Sequence, residues 1–250
     1  MPTKTPYRIP LGGGGTDLPE FYEKYGGFCW GATIDRYVWI DKKEEGVFEY
    51  SVKSDLPIGS GMGGSGAYKV GRLLADNPTA IPKWLAEHAD EKGKQDQYLA
   101  AYGGFIALEI NKQGKVKVER LKFKQDLIDE LNSKLMLQWT GLTHDTKIQQ
   151  EKGLDLNGML KIKEIGQTML SEMKSGNIKN FGTLMNEHWT IKRMMNGMTN
   201  KELDEIYEEG LKTGAEGGKL LGSGGGGFFL FYGDVESNFK FTFKGSEYVG

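Results

Sequence analysis

Cysteine is nearly absent: Cys29 stands alone in 250 residues. That excludes an internal disulfide framework and any multi-cysteine metal site. Flanked by Phe28 and Trp30, Cys29 is expected to be a buried strand thiol. Histidine is scarce too, and His88, His144 and His188 show no ligand spacing. No sign of charge dominates, with 32 Lys and Arg against 34 Asp and Glu, a net charge of -2 and a pI near 6.0. This argues against nucleic acid or an anionic membrane as a partner. Long apolar runs are missing. The longest aromatic-aliphatic stretch, 228–232, falls far short of the ~20 residues a membrane helix needs. The first six residues have no apolar signal core. A soluble, cytoplasmic, globular chain is expected, with 26% charged and 38% hydrophobic residues. Its oligomeric state is not legible.

What is abundant is glycine, at 37 residues, about twice the usual share of roughly 7%. The glycines cluster, and ordinary core sequence lies between the clusters. The first cluster, 12–15, precedes a predicted helix over 19–25, with Asp17 as its expected N-cap. Extended chain follows over 28–40, then a strand over 47–52. The second cluster, 57–67, leads into a helix carrying Val70, Leu73 and Leu74. A helix over 82–91 and the polar run 93–98 come next. A hairpin is predicted from 105–110 and 116–123. The back half reads as helix 125–131, strand 134–139 and helices 154–173, 181–195 and 203–213. The third cluster, 222–227, is followed by strands 228–232 and 239–243. The expected class is α+β with two lobes, residues 1–124 forming one domain and 125–250 the other.

A glycine-rich turn feeding a helix presents free amides to an anion, and the second cluster has that form. The Walker pattern fails there, because no Lys followed by Ser or Thr closes it. The G-x-G-x-x-G pattern matches over 59–64, but any run so rich in glycine matches it. Ser65 adds a hydroxyl that could ligate Mg²⁺ or bond a phosphate oxygen. Asp96, in a polar segment between apolar ones, is the candidate general base. Arg8 could neutralise it, and Lys94 could offset its charge. A solvated surface aspartate is the plain alternative.

The three clusters, in this order, resemble the GHMP kinase superfamily. Residues 57–67 are similar to its central motif, P-x-x-x-G-L-G-S-S-A-A. Residues 8–19, 93–98, 103–105 and 217–228 resemble the D-glycero-D-manno-heptose 7-phosphate kinase branch, and the likeness runs from about residue 6 to 243. It implies a two-lobed fold, with a ribosomal-protein-S5-domain-2-like N-terminal lobe holding ATP and a ferredoxin-like C-terminal lobe. It implies phosphoryl transfer from ATP, with Mg²⁺, to the anomeric hydroxyl of a sugar phosphate. By the resemblance Asp96 is the catalytic base and Arg8 its neighbour. Pro57, Gly59, Ser60, Gly61, Met62, Gly63, Gly64 and Ser65 form the ATP loop. Gly14, Gly15, Thr16, Asp17, Gly224 and Gly225 meet the sugar. Ser65 and Asp90 hold the metal, with Glu87 and Glu91 as rivals to Asp90.

There are departures from the family pattern. Gly64 replaces a serine, Gly66 a small side chain, Ser223 an alanine, and Pro10 a small residue. The chain is several dozen residues shorter than the pattern, between 43 and 53 and again between 90 and 93. Two competing readings follow: a shortened binding module without turnover, and a dinucleotide-dependent oxidoreductase using 59–64. Thr143, His144 and Asp145 could touch the sugar, or form a plain loop. Lys192 and Arg193 could bind a distal phosphate, although a solvated helix face is the favoured reading. Lys219 is the better phosphate candidate. The methionines at 159, 169, 173, 185, 194 and 195 read as helix core.

Overall fold

The computed structural model describes residues 2–43, 50–143, 155–195 and 197–249. Its first element, β1 (Thr3–Gly12), runs antiparallel to the 16-residue strand β2 (Gly27–Lys42). Helix α1 (Pro19–Tyr25) connects them. The register shifts between Pro6 and Arg8 and again between Pro10 and Gly12. A proline has no N–H for the ladder, so a bulge forms beside it and re-aims the neighbouring side chain.

The other edge of β2 is shared by three partners: β3 (Tyr50–Ser54), β4 (Phe105–Ile110) and β9 (Phe241–Thr242). Strands β5 (Val116–Arg120) and β10 (Glu247–Tyr248) complete a seven-stranded sheet. Trp30 and Gly31 point to its opposite faces, as successive strand residues do. Gly31 leaves room for Leu99 of α4 (Gln95–Tyr102), whereas the Trp30 indole N–H donates to Gly166 O of α6 (Leu156–Ser175) at 2.9 Å. Helices α2 (Gly64–Asp76) and α3 (Pro82–His88) pack with α4.

The second sheet has the order β6 (Leu135–Trp139), β8 (Phe228–Gly233), β7 (Ala215–Leu220). Helices α5 (Gln125–Lys134), α7 (Phe181–Met194) and α8 (Lys201–Lys212) belong to this half. The unbroken run 228–232 has a simple cause. Phe229 and Phe231 join a cluster with Trp189, Leu203 and Tyr207, while Phe228, Leu230 and Tyr232 join the main core. A strand buried on both faces reads as continuously apolar.

The expected α+β architecture holds. The division after residue 124 falls where the first sheet gives way to the second, but β9 and β10 return to β2 and β1 of the first sheet. The main core also runs across both sheets. Helix 82–91 ends earlier, at His88, and the strand expected over 47–52 is seen at Tyr50–Ser54, its first residues lying outside the described ones. The dinucleotide reading fails, because every strand pair described is antiparallel. That fingerprint belongs to a parallel βαβ unit. No helix among the described residues is long and apolar enough to cross a membrane.

Candidate active site

The second and third glycine clusters meet, and the strand leading into the first is tied beside them. A Cβ on Gly222 would lie 2.6 Å from the Gly61 Cα, and one on Gly227 would lie 2.5 Å from Ser60 O. The Phe228 N–H donates to Ser60 O at 3.2 Å, and the Lys219 ammonium donates to Leu11 O, just before the first cluster, at 2.6 Å. Many of these glycines therefore serve backbone-on-backbone packing as well as any ligand. Gly63, at φ 76°, caps α2 in the left-handed region with no side-chain bond and no acidic residue in the first turn. The first amides of α2 are left for an anion.

Not all of the expected ATP loop can face a ligand. Ser60 and Met62 are buried, and Met62 offers its backbone carbonyl to the Arg8 N–H at 3.3 Å. Pro57 and Ile58 project outward, Ile58 being 91% exposed. Gly61, Gly63 and Gly64 press against Gly222, Arg8 and Tyr7 in turn. Gly61 and Gly63 are packed there, Gly64 is half-buried and Ser65 is exposed.

Arg8 and Asp96 are brought together as expected. The Arg8 Nε and Nη2 donate to Asp96 Oδ1 at 2.8 and 2.7 Å, and Nη1 donates to Gly61 O at 2.8 Å. Asp96 Oδ2 has no partner among the described residues. Arg8 is buried, so its charge needs this carboxylate. Gly66 explains its own departure from the pattern. A Cβ there would lie 2.8 Å from the Asp96 Cβ and 3.1 Å from the Gln97 N. Glycine lets α2 close onto the start of α4 and sets Asp96 beside the loop.

Thr16 and Asp17, expected to meet a sugar, do structural work. Thr16 is buried, its hydroxyl donating to Gly13 O or Phe28 O and accepting from the Phe28 N–H at 3.0 Å. Asp17 does not cap α1, whose N-cap is Leu18. Its buried carboxylate accepts from Gly15 N at 3.1 Å, Lys94 N at 2.8 Å and Gln95 N at 3.0 Å. It thereby ties the first glycine turn to the start of the Asp96 helix. Burial pushes its carboxyl above the usual range, and Asp96 adds to this, against the downward pull of the amides.

Gly14 packs against the Gln95 side chain, whose amide atoms would lie 3.6 and 3.7 Å from an added Cβ. Gln95 Oε1 is a buried, unpartnered polar atom beside the first glycine turn that sequence reading passed over. Across the site, Gly15 packs against Met159, and Gly224 and Gly225 pack against Met198. Thr143 lies against Gly226. His144 and Asp145 lie outside the described residues.

For a metal, the structure favours a rival of Asp90. The Ser65 hydroxyl donates to Glu91 Oε1 at 2.6 Å, and the Lys69 ammonium pairs with the same oxygen at 3.2 Å. Asp90 is exposed, and it is its backbone carbonyl that Lys69 meets. Glu87 pairs with Lys83 on the outside of α3. Asp90 and Glu91 adjoin in an irregular turn, and only the fold says which carboxylate faces Ser65. A hydroxyl and a carboxylate suit Mg²⁺, which keeps waters and substrate phosphates as its other ligands. No group of three acidic, His or Cys side chains that could hold a metal ion occurs among the described residues.

Lys192 and Arg193 part company. Arg193 turns outward to Asp204 at 3.0 Å and Glu208 at 3.8 Å. Lys192, expected on a solvated face, turns inward, its ammonium donating to Gly222 O at 2.6 Å and Leu220 O at 3.2 Å. Burial, then Lys192 and Arg8, pushes the Lys219 ammonium well below the usual lysine range. His188, one turn before Lys192, is buried and held neutral, with Nδ1 unpartnered. The Ser223 hydroxyl is likewise buried without a partner, so its departure from alanine leaves an unused polar group here.

Comparisons with known proteins bear on the fold and the family. The family model for the GHMP kinase C-terminal domain matches residues 169–239. A D-glycero-alpha-D-manno-heptose 7-phosphate kinase of Campylobacter jejuni is 28% identical, over 95% of this chain and 91% of the relative. That alignment spans 312 positions, more than the 250 residues here, so the relative has segments this chain lacks. The crystal structure of a D-glycero-D-manno-heptose 1-phosphate kinase from Bacteriodes thetaiotaomicron superposes with a TM-score of 0.77 at 23% identity, covering 98% of this chain and 97% of that one. Lactococcus lactis galactokinase complexed with galactose gives 0.71 at 15%, covering 99% and 95%. Residues 169–239 match the GHMP kinase C-terminal domain, and nearly the whole chain is similar to heptose phosphate kinases.

Proposed function

We propose that this kinase transfers the γ-phosphoryl group of ATP to the anomeric hydroxyl of a heptose 7-phosphate. The observation that carries the reaction type is the Arg8–Asp96 pair, set by Gly66 against the helix whose first amides are free. The C. jejuni relative supports the choice of acceptor. Asp96 Oδ2 takes the acceptor's proton as its oxygen attacks the γ-phosphorus. The bond from that phosphorus to the β-phosphate oxygen breaks, and ADP leaves. Arg8 keeps Asp96 oriented, and the α2 amides hold phosphate oxygens. Such catalysis is mostly positioning and charge stabilisation. Ser65 and Glu91 are the residues that would hold Mg²⁺. When bound, Mg²⁺ supplies positive charge between the phosphates.

Two outcomes test this. ADP release should be at least tenfold faster with D-glycero-D-manno-heptose 7-phosphate than with galactose, fucose, mannose or homoserine. Preference for another acceptor would remove the heptose assignment and keep the kinase. The shortened segments favour the competing reading, a binding module, which ATP binding without ADP release would support. Separately, Ser65→Ala and Glu91→Gln should each raise the Mg²⁺ needed for half-maximal turnover about tenfold or more, since loss of even an outer partner costs that much. Asp90→Asn should leave the titration unchanged; the reverse pattern would restore Asp90 as the ligand.

A further inference from the structure

We infer that Lys192 is a second cation on the transferred phosphoryl group, placed across the loop contact from Arg8. This rests on the kinase reading above. The two side chains anchor the two backbones that touch there: Arg8 donates to Gly61 O, and Lys192 donates to Gly222 O at 2.6 Å. The gap between those backbones is so narrow that a Cβ on Gly222 would lie 2.6 Å from the Gly61 Cα. Lys192 therefore sits at the seam of the phosphate loop and the third glycine turn, and Asp96 is bound to the same Arg8.

An ammonium has three donors. Leu220 O and Gly222 O take two, and the third has no partner among the described residues. Lys192 is half-buried, whereas Lys219 is fully buried and donates to Leu11 O. The titratable groups around Lys192 are His188 on its own helix, Lys219 from β7 and Arg8 from β1. The one acid at this seam, Asp96, is already bound to Arg8, so the remaining donor suits an incoming anion. Burial and the charge of Arg8 bring Lys192 down to about 8, so its proton is shed just above neutrality in the unliganded protein. Preorganised cations aimed at a transferring phosphoryl group act most strongly where water is excluded.

The test compares binding of MgADP with that of the magnesium complex of the non-hydrolysable analogue AMPPNP, by calorimetry. Neither measurement needs an acceptor. Lys192→Met should weaken AMPPNP about tenfold or more, the size of one lost charged hydrogen bond, and change ADP less than twofold. ADP binding reports that the loop is intact. Lys192→Arg should recover most of the AMPPNP affinity and carry it to higher pH, whereas the wild type loses the AMPPNP advantage above pH ~8. Equal loss of both nucleotides would make Lys192 a fastener of the third turn and overturn the inference. Unchanged AMPPNP binding with weakened heptose 7-phosphate binding would hand Lys192 to the acceptor's own phosphate, and also overturn it. Wild-type protein that binds neither nucleotide would sink the kinase reading itself.

Discussion

Asp96→Asn should lower turnover by about 10²- to 10⁴-fold, the range that positioned acid–base groups contribute, with MgATP binding within twofold of wild type. The amide keeps an oxygen for the Arg8 Nε and Nη2, which now reach Asp96 at 2.8 and 2.7 Å. Arg8 also keeps Gly61 O. Arg8 is buried and loses its countercharge, so the variant should also lose about 3 kcal/mol of stability. Asparagine cannot accept the hydroxyl proton, because an NH₂ group stands where Oδ2 did. Steady-state ADP release and a melting curve on the same sample separate the two effects. Turnover close to wild type would end the assignment of Asp96 as base.

Asp17→Ala should be the more damaging substitution for the fold. It strips the Gly15, Lys94 and Gln95 amides of their shared acceptor in a buried position. Each unsatisfied buried donor costs about 1–3 kcal/mol. The carboxylate's own burial offsets part of this, leaving an expected loss of about 3–5 kcal/mol. For a chain of this length that is a fall in Tm of roughly 6–20 °C. Turnover should drop as well, because α4 begins at Gln95 and carries Asp96 in its first turn. If Asp17 instead met the sugar directly, the variant would keep its Tm and raise only the sugar KM. The pH response has a defined sign. Folding raises the Asp17 pKa, so its contribution is full below the ordinary carboxylate pKa and fades as pH rises through the folded value. Asp17→Asn should remove that slope at the acid end.

Much of the scaffold was legible because local pattern and burial coincide. The helical spacing over 154–173 became α6 (Leu156–Ser175), and the aromatic run 228–232 became β8 (Phe228–Gly233). Strand β7 was not legible. Ala215–Leu220 has no β-branched residue, and its glycines answer to neighbours elsewhere. A Cβ on Gly217 would strike Gly182 O, and one on Gly218 would lie 2.5 Å from the Phe231 ring. The strand expected over 239–243 is confined to Phe241–Thr242, where β2 offers it an edge, and Glu247–Tyr248, too short to announce itself, exists because β1 offers another.

The same boundary runs through the site. The sequence by itself determined where a backbone could approach closely, since glycine clusters at 12–15, 57–67 and 222–227 have few other uses. It also named Arg8, Asp96 and Ser65 as the residues with chemistry to offer. The tertiary structure decided which charged groups meet. It set Glu91 rather than Asp90 on Ser65, turned Asp17 onto the Asp96 helix, and sent Lys192 inward while Arg193 faces Asp204. Neighbours in sequence point apart wherever a helix or turn rotates the chain between them. The partner of a side chain is then fixed by elements scores of residues away, whereas the freedom of a glycine backbone is a property of the residue alone.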